Sequence, residues 1–383
     1  MRPNRKGWCP SAHRPMMSGD GLLVRIKPAY GQLSSAQIEN IADLSDEFGH
    51  GLIDVTSRAN LQLRGVQEAY YPALLSALKR ANLVASQANQ DALNLTLAPF
   101  TQTGSLGWRC AKQLYDAAAD FAELPAKFGF AVDCNRTRYL HTASADIRIE
   151  TDADGQLLLR CATLPAGLPS SETELLADIV MLTSWFSEQC QQLSSSIRQR
   201  MPDILNQQKL PEQWVSVAPR PETARLQAGQ VRDGLYVAAA PYGQLGSADL
   251  RALASVNEVV HITTGRCLIL SKLPTTEHCL ITNACDPRLH IAACPGQPHC
   301  QAASIQTRAL ADHLISENLL PTGTDIHISG CAKGCAAATP RDLCIVGNQG
   351  QFDIVEKGCA WQAPNYTSLT DTTLLKQLKI LAG

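Results

Sequence analysis

An α+β chain built twice, with a metal-binding cysteine box in its last third, is the fold the sequence predicts, and three observations predict it. The first is an internal repeat. Asp20-Gly-Leu-Leu-Val followed by Pro28-Ala-Tyr-Gly-Gln-Leu-Ser-Ser-Ala recurs as Asp233-Gly-Leu-Tyr-Val followed by Pro241-Tyr-Gly-Gln-Leu-Gly-Ser-Ala, too long a match for coincidence. The second is that each copy continues in the same pattern, strand to helix to strand. The third is two cysteine pairs, Cys294/Cys300 and Cys331/Cys335, separated by about one helix and one strand.

The elements follow in chain order. After the first repeat, Ile38, Ile41, Leu44 and Phe48 recur at helical spacing behind a capping box formed by Ser34 and Gln37, in which the hydroxyl and the amide satisfy each other's backbone N–H groups. Leu52 to Leu63 then reads as a strand rich in Leu, Ile and Val. From Ser86 to about Pro221 there are strand patterns at Ala131-Val-Asp and Asp146-Ile-Arg-Ile-Glu. A helix starts at the capping box Ser171/Glu174, with Leu175, Ile179, Leu182 and Phe186 on one face, a packing element. Residues 201–230, with Pro202, Pro211, Pro219 and Pro221, read as a linker. The second copy places Leu250 and Leu253 on a helix and Val259 to Leu270 on a strand. In the last third, Ile305, Leu310 and Leu314 mark a helix and Asp325-Ile-His-Ile-Ser a strand.

Composition narrows the function classes. The chain has 383 residues, 45% hydrophobic and 18% charged, enough apolar material for more than one core. With 33 basic and 35 acidic residues the net charge is -2, which argues against a nucleic-acid-coating surface or a strong membrane-directed field. The start, Met1 to Pro15, lacks the apolar stretch of a secretory signal, and no run approaches the length of a membrane span. A cytoplasmic location is the expectation, and with it fourteen mostly reduced cysteines. Ten of these, including Cys9, Cys110, Cys134 and Cys344, lack metal-box spacing and read as small buried hydrophobes.

The remaining four form the box. Helix and strand between the pairs bring the thiolates to one spot, and soft thiolate ligands favour an iron-sulfur cluster or zinc. The five-residue gap of Cys294-Pro-Gly-Gln-Pro-His-Cys300 is wider than structural zinc sites use, so a cluster on Cys294, Cys300, Cys331 and Cys335 is the reading. Gly296, Gly330 and Gly334 suit a site where backbone closely approaches an inorganic core. No G-x-G-x-x-G after a strand and no G-x-x-x-x-G-K-[ST] is present, so electrons are expected from a separate protein.

The pattern Cys-x5-Cys then Cys-x3-Cys on a duplicated chain resembles the sulfite and nitrite reductases, over nearly the whole sequence. Further matches are Thr56-Ser-Arg58-Ala-Asn60-Leu-Gln62, Leu124-Pro-Ala-Lys127-Phe-Gly129 and a histidine-bearing stretch from His141 to Ile149. The resemblance implies ferredoxin-like half-domains at 1–85 and 223–280, a sulfite/nitrite-reductase-like domain without a cluster at 86–222 and a 4Fe-4S cluster domain at 281–383. Departures matter as much. The family's sirohaem-site arginine is replaced at Leu93, its second substrate lysine at Gly129, and the residues between the last two cysteines are Ala332-Lys333-Gly334.

Three stretches are more similar to the precorrin-3B synthases, a branch of that family: Cys9 to Arg25, the strand with Arg58, and His327 to Ala336. That likeness implies an oxygen-dependent monooxygenase of aerobic cobalamin biosynthesis that hydroxylates precorrin-3A and closes a γ-lactone. It also implies a 4Fe-4S cluster, a mononuclear non-haem iron in place of sirohaem, dioxygen as co-substrate and an NAD(P)H-linked reductase as electron donor. An anionic tetrapyrrole demands basic residues. Arg58, Asn60, Gln62, Lys127 and Arg266 are the expected substrate-binding groups; Arg58, Lys127, His141 and Lys333 are the catalytic candidates. His141, at a family-matched position, heads the imidazoles His261, His290, His299 and His327 as iron ligand, and no facial triad is visible. Arg25 and Arg64 read as solvated surface charges. The alternatives are a sirohaem-dependent sulfite or nitrite reductase and a non-catalytic electron carrier; the carrier would need no anion pocket.

Overall fold

The computed structural model describes residues 10–85, 93–121, 123–192, 199–321 and 323–382. Cys9 and the first residues of the N-terminal motif lie outside them. In the first repeat the strands are β1 (Met16–Ser18), β2 (Gly21–Ile26), β3 (Gln32–Ser34), β4 (Leu52–Val55) and β5 (Leu61–Val66), with helices α1 (Ser35–Phe48) and α2 (Tyr71–Arg80). The capping box of α1 is present, Ser34 accepting from the Gln37 N–H and Gln37 from the Ser34 N–H, and Ile38, Ile41 and Leu44 are buried.

The domain that follows contains β6 (Leu95–Leu97), α3 (Leu106–Asp116), β7 (Phe130–Asp133), β8 (Ile147–Thr151), β9 (Leu157–Cys161), β10 (Leu168–Pro169), α4 (Leu175–Gln192) and α5 (Met201–Leu205). The predicted face of α4, Leu175, Ile179, Leu182 and Phe186, is buried. The expected linker is firmer than its prolines suggest. Met201 and Ile204 of α5 are fully buried in this domain's core, and Arg138 bridges to Thr223.

The second repeat supplies β11 (Val231–Arg232), β12 (Leu235–Ala239), β13 (Gln244–Gly246), α6 (Ser247–Ala254), β14 (Val259–Thr263) and β15 (Cys267–Leu270). The last third supplies β16 (Ile291–Ala293), α7 (Thr307–Ser316), β17 (Ile326–Ser329), β18 (Arg341–Asn348), β19 (Gln351–Gly358), β20 (Tyr366–Leu369) and α8 (Asp371–Ala382). Among the described residues no helix is long and apolar enough to cross a membrane.

The two segments expected as single strands are hairpins. Leu52–Leu63 turns at Ala59 and Val259–Leu270 at Arg266, both left-handed at φ 56° and 65°. The strand-forming residues on either side read as one run and hid each turn, although the second carries a turn signal in Gly265, also left-handed at φ 73°.

The sheets show what the duplication does. One runs β1-β2-β5-β4-β13 and the other β11-β12-β15-β14-β3. Each repeat therefore lends a strand to its twin: Leu245 of β13 sits opposite Ile53, and Leu33 of β3 opposite Val260. One continuous core takes Ile38, Ile41 and Leu63 from the first copy and Leu253, Val260 and Leu268 from the second. The other two sheets, β10-β9-β8-β7-β6 and β16-β17-β18-β19-β20, share one topology, three parallel strands continued by two antiparallel ones.

Equivalent tyrosines, Tyr30 and Tyr242, are left-handed at φ 56° and 52°. Tyr30 stacks on Trp108 and meets Tyr115 edge-on, whereas the buried Tyr242 donates to Asp312 at 2.7 Å. Each repeat thus docks onto the domain that follows it through the same position.

Candidate functional site

The cysteine box is assembled by strand ends. β16 and β17 are parallel neighbours, so the residues leaving their C-terminal ends emerge side by side. Cys294 follows β16 directly, and its sulfur accepts the Gly330 N–H at 3.2 Å. Cys331 follows Gly330. Cys294 is buried, Cys300 and Cys331 are half-buried, and Cys335 is exposed. Burial pushes the Cys294 thiol up against two backbone N–H groups that pull it down, so holding it as a thiolate requires a cation. The glycines are required where they sit. A Cβ on Gly330 would lie 2.5 Å from the Ala303 Cβ, and one on Gly334, at φ +60°, 2.9 Å from the Trp361 ring. Four soft donors on two glycine-bearing loops fit an iron-sulfur cluster.

Beside these loops lies a cavity of about 230 Å3, walled by Cys294, Cys335, Thr56, Arg64, Arg266 and Arg308. Arg308 reaches Asp54 through Nη2 at 3.3 Å, but its Nε and Nη1 are buried without partners. Buried guanidinium N–H groups left over in this way are donors available to an anion. Arg266 leans against Gly243, where a Cβ would meet its Cδ at 2.7 Å. Burial, and then the Arg308 charge, lower its pKa from the ordinary arginine range. Negative charge entering this cavity would relieve both.

A larger cavity, about 640 Å3, opens between the first repeat and the domain after it, with Arg25, Lys27, Arg58, Asn60, Lys127 and Ser144 in its wall. Its volume lies within the range of small-molecule sites. Arg58 bonds Ser144 at 3.4 Å, and Arg25 reaches Gln62 at 2.6 Å. Thr56 and Ser57 line the smaller cavity while Arg58 and Asn60 line the larger. The β4–β5 turn is thus the border between them.

The structure gathers most of the predicted residues here. Arg58, Asn60 and Lys127 line the larger cavity; Gln62, Arg266, Cys294 and Cys335 line the smaller. His141 and Lys333 line neither. The His141 ring contacts the Arg138 carbonyl at 3.3 Å, and Lys333 is exposed on the cysteine loop. Of the other histidines, His327 is fully buried on β17, His261 is half-buried on β14, and His290 pairs with Asp325.

Arg25 and Arg64 correct the reading of surface charges. Arg25 is half-buried in the cavity wall, and Arg64 is 4% exposed, pinned by Asp20 at 3.0 Å and Asp54 at 3.1 Å. Burial works against the Arg64 charge, but Asp54 and Asp20 more than offset it and hold its pKa above the ordinary value. An arginine flanked by apolar strand residues was the available signal. Arg308 was missed altogether, its only mark being its position at the start of the helix between the cysteine pairs.

The comparisons agree with this picture. Residues 14–81 match the model of the nitrite/sulfite reductase ferredoxin-like half domain. A precorrin-3B synthase from Sinorhizobium sp. is 28% identical, the alignment covering 94% of this chain and 85% of that one. A ferredoxin–nitrite reductase from Synechococcus elongatus is 24% identical over 92% of this chain and 81% of its own. The solved NirA protein of Mycobacterium tuberculosis shares the fold at a TM-score of 0.64 and 17% identity, covering 87% of this chain and 74% of that one. The half-domain match and the near full-length relatives make this chain similar to the nitrite/sulfite reductases and the precorrin-3B synthases over almost its whole length, with the duplicated fold of the solved relative.

Proposed function

We propose that the chain is a precorrin-3B synthase, an oxygen-dependent monooxygenase that hydroxylates precorrin-3A and forms its γ-lactone in aerobic cobalamin biosynthesis. One observation carries the reading. The wall of the larger cavity holds Leu93 and Gly129 where the reductases' pattern has an arginine and a lysine, yet it keeps Arg25, Lys27, Arg58 and Lys127. A small oxyanion undergoing multi-electron reduction needs cations at one point. A polycarboxylate macrocycle needs several cations, and this wall holds four.

In this reading Arg58 and Lys127 hold ring carboxylates, Asn60 and Gln62 fix Arg58's loop and Arg25, and Arg266 and Arg308 receive a carboxylate beside the cysteine loops. Cys294, Cys300, Cys331 and Cys335 would hold a 4Fe-4S cluster that passes electrons singly, and a mononuclear non-haem iron would supply the dioxygen chemistry. Hydroxylation puts one oxygen atom into the substrate and releases the other as water, consuming two electrons and two protons. With no dinucleotide motif in the sequence, an NAD(P)H-linked reductase is the donor.

The visible spectrum of anaerobically purified protein comes first. A broad band bleached by dithionite, together with oxygen uptake that requires precorrin-3A, is expected. A sharp Soret-type band would instead favour a sirohaem nitrite or sulfite reductase, which Arg58 and Lys127 also match. Arg58→Ala should weaken tetrapyrrole binding about 10- to 100-fold, the worth of a hydrogen bond to a charged group; unchanged affinity would remove Arg58 from the site.

A further inference from the structure

We infer that Asp20, His50 and His299 form a site for one ferrous ion, tied to the smaller cavity through Arg64, which also holds the cavity-lining Asp54. The three residues come from three separate segments: the β1–β2 turn, the loop after α1, and the cysteine loop. Their ligand atoms nonetheless all lie within 4.8 Å of one another. Two imidazoles and one carboxylate with open positions are the donor set of mononuclear non-haem iron.

The arrangement is built rather than incidental. Arg64 donates to both Asp20 oxygens, Nε at 3.0 Å and Nη2 at 3.1 Å, which leaves each oxygen a lone pair. The same Nη2 holds the His299 carbonyl at 3.0 Å, and Ser18 holds it at 3.3 Å. One buried arginine therefore fixes two of the three ligands, and Asp54 on its far side balances its charge. Partners of this kind orient metal ligands and raise affinity.

His50 is seated by a glycine. A Cβ on Gly65, at φ +75°, would lie 2.2 Å from its ring. The His299–Asp20 contact at 3.4 Å can be read as an ion pair without a metal. His50 is not so explained, because its ring nitrogens have no hydrogen-bond partner among the described residues. Its ring centroid stands 5.8 Å from that of His299. His50 is exposed, which gives the site access to solvent, and His299 directly precedes Cys300.

The inference deepens the proposed function, on which the choice of iron rests. The test adds 57Fe(II) to the anaerobically purified, cluster-containing protein and reads Mössbauer spectra beside iron and acid-labile sulfide contents. Wild type should take up one iron per chain beyond its sulfide and show a high-spin ferrous doublet distinct from the cluster. His50→Ala, at an exposed position, should lose the doublet and the extra iron with sulfide unchanged, and Asp20→Asn should weaken binding at least about tenfold.

Iron equal to sulfide in wild type after addition, or a doublet that survives His50→Ala, would overturn the site. Precorrin-dependent oxygen uptake without the doublet would overturn the site and leave the function standing. The doublet without any such uptake would leave the site standing and overturn the function.

Discussion

Asp133, at the end of β7, has one carboxylate oxygen accepting the Leu140 N–H at 2.7 Å and the other buried without a partner. Burial, with some help from the Glu150 charge, pushes its pKa up to about 7 against the Leu140 hydrogen bond. The folded state therefore keeps a proton that the unfolded chain releases near pH 4. Stability should fall as pH rises from about 4 to 7 and level off above. Asp133→Asn, which keeps an acceptor for Leu140, should gain on wild type across that window; denaturant midpoints that run parallel between about pH 4.5 and about pH 7.5 would contradict the shift. Arg64 behaves oppositely. Arg64→Met would leave two almost fully buried carboxylates with only longer contacts, Asp54 to Arg308 at 3.3 Å and Asp20 to His299 at 3.4 Å, at a cost approaching about 3–5 kcal/mol, read as a lower denaturant midpoint. Neither residue could be ranked from sequence, because the same letter describes a solvated charge and a buried one, and only the packing around it tells them apart.

The elements explain why one half of the molecule offers a cluster site and the other does not. β6, β7 and β8 match β16, β17 and β18 in order and direction. Yet Ala98 follows β6 where Cys294 follows β16, and the loop after β7 begins with Cys134 alone. The first sheet buries charge instead. Glu150 receives Arg160 at 2.7 Å and Arg138 at 3.1 Å, while Arg148 donates to the Ala162, Leu140 and Ala143 carbonyls. At the cysteine loops the glycines give a sharper test. Gly334→Ala would force a side chain into a left-handed position against Trp361, costing about 1–2 kcal/mol, so sulfide content per chain should drop. Cys335→Ser should lose most of the cluster, and a variant with full iron and sulfide would refute the ligand set. Helices α1, α4, α6 and α7 were legible, since helical spacing reports burial directly, whereas α2, α3, α5 and α8 were not read from the sequence. The hairpin turn at Ala59 was not legible, because nothing in the residue type marks a non-glycine residue that turns left-handed; at Arg266 the neighbouring Gly265, at φ 73°, was the available signal.

At the scale of the whole molecule, the exchange of β3 and β13 makes each repeat depend on the other. A fragment ending at residue 222 would leave β4 without its outer neighbour and expose the face of α1 that packs on α6. It should fail to give a cooperative unfolding transition, which circular dichroism would check; a cooperative fold for residues 10–222 would show that the shared core is dispensable. Ile41→Ala in that core, at a fully buried position, should cost about 2–5 kcal/mol. The sequence by itself determined the duplication, the positions of helices α1, α4, α6 and α7, the cysteine box and the family likeness, because repeats, apolar periodicity and ligand spacing are properties of the chain read in order. Only the tertiary structure decided which strands pair across the repeats, that Arg25, Arg64 and Arg308 join the cleft, and that Asp20, His50 and His299 meet. Those facts rest on contacts between residues far apart along the chain, and such contacts are fixed when the sheets close rather than by any local pattern.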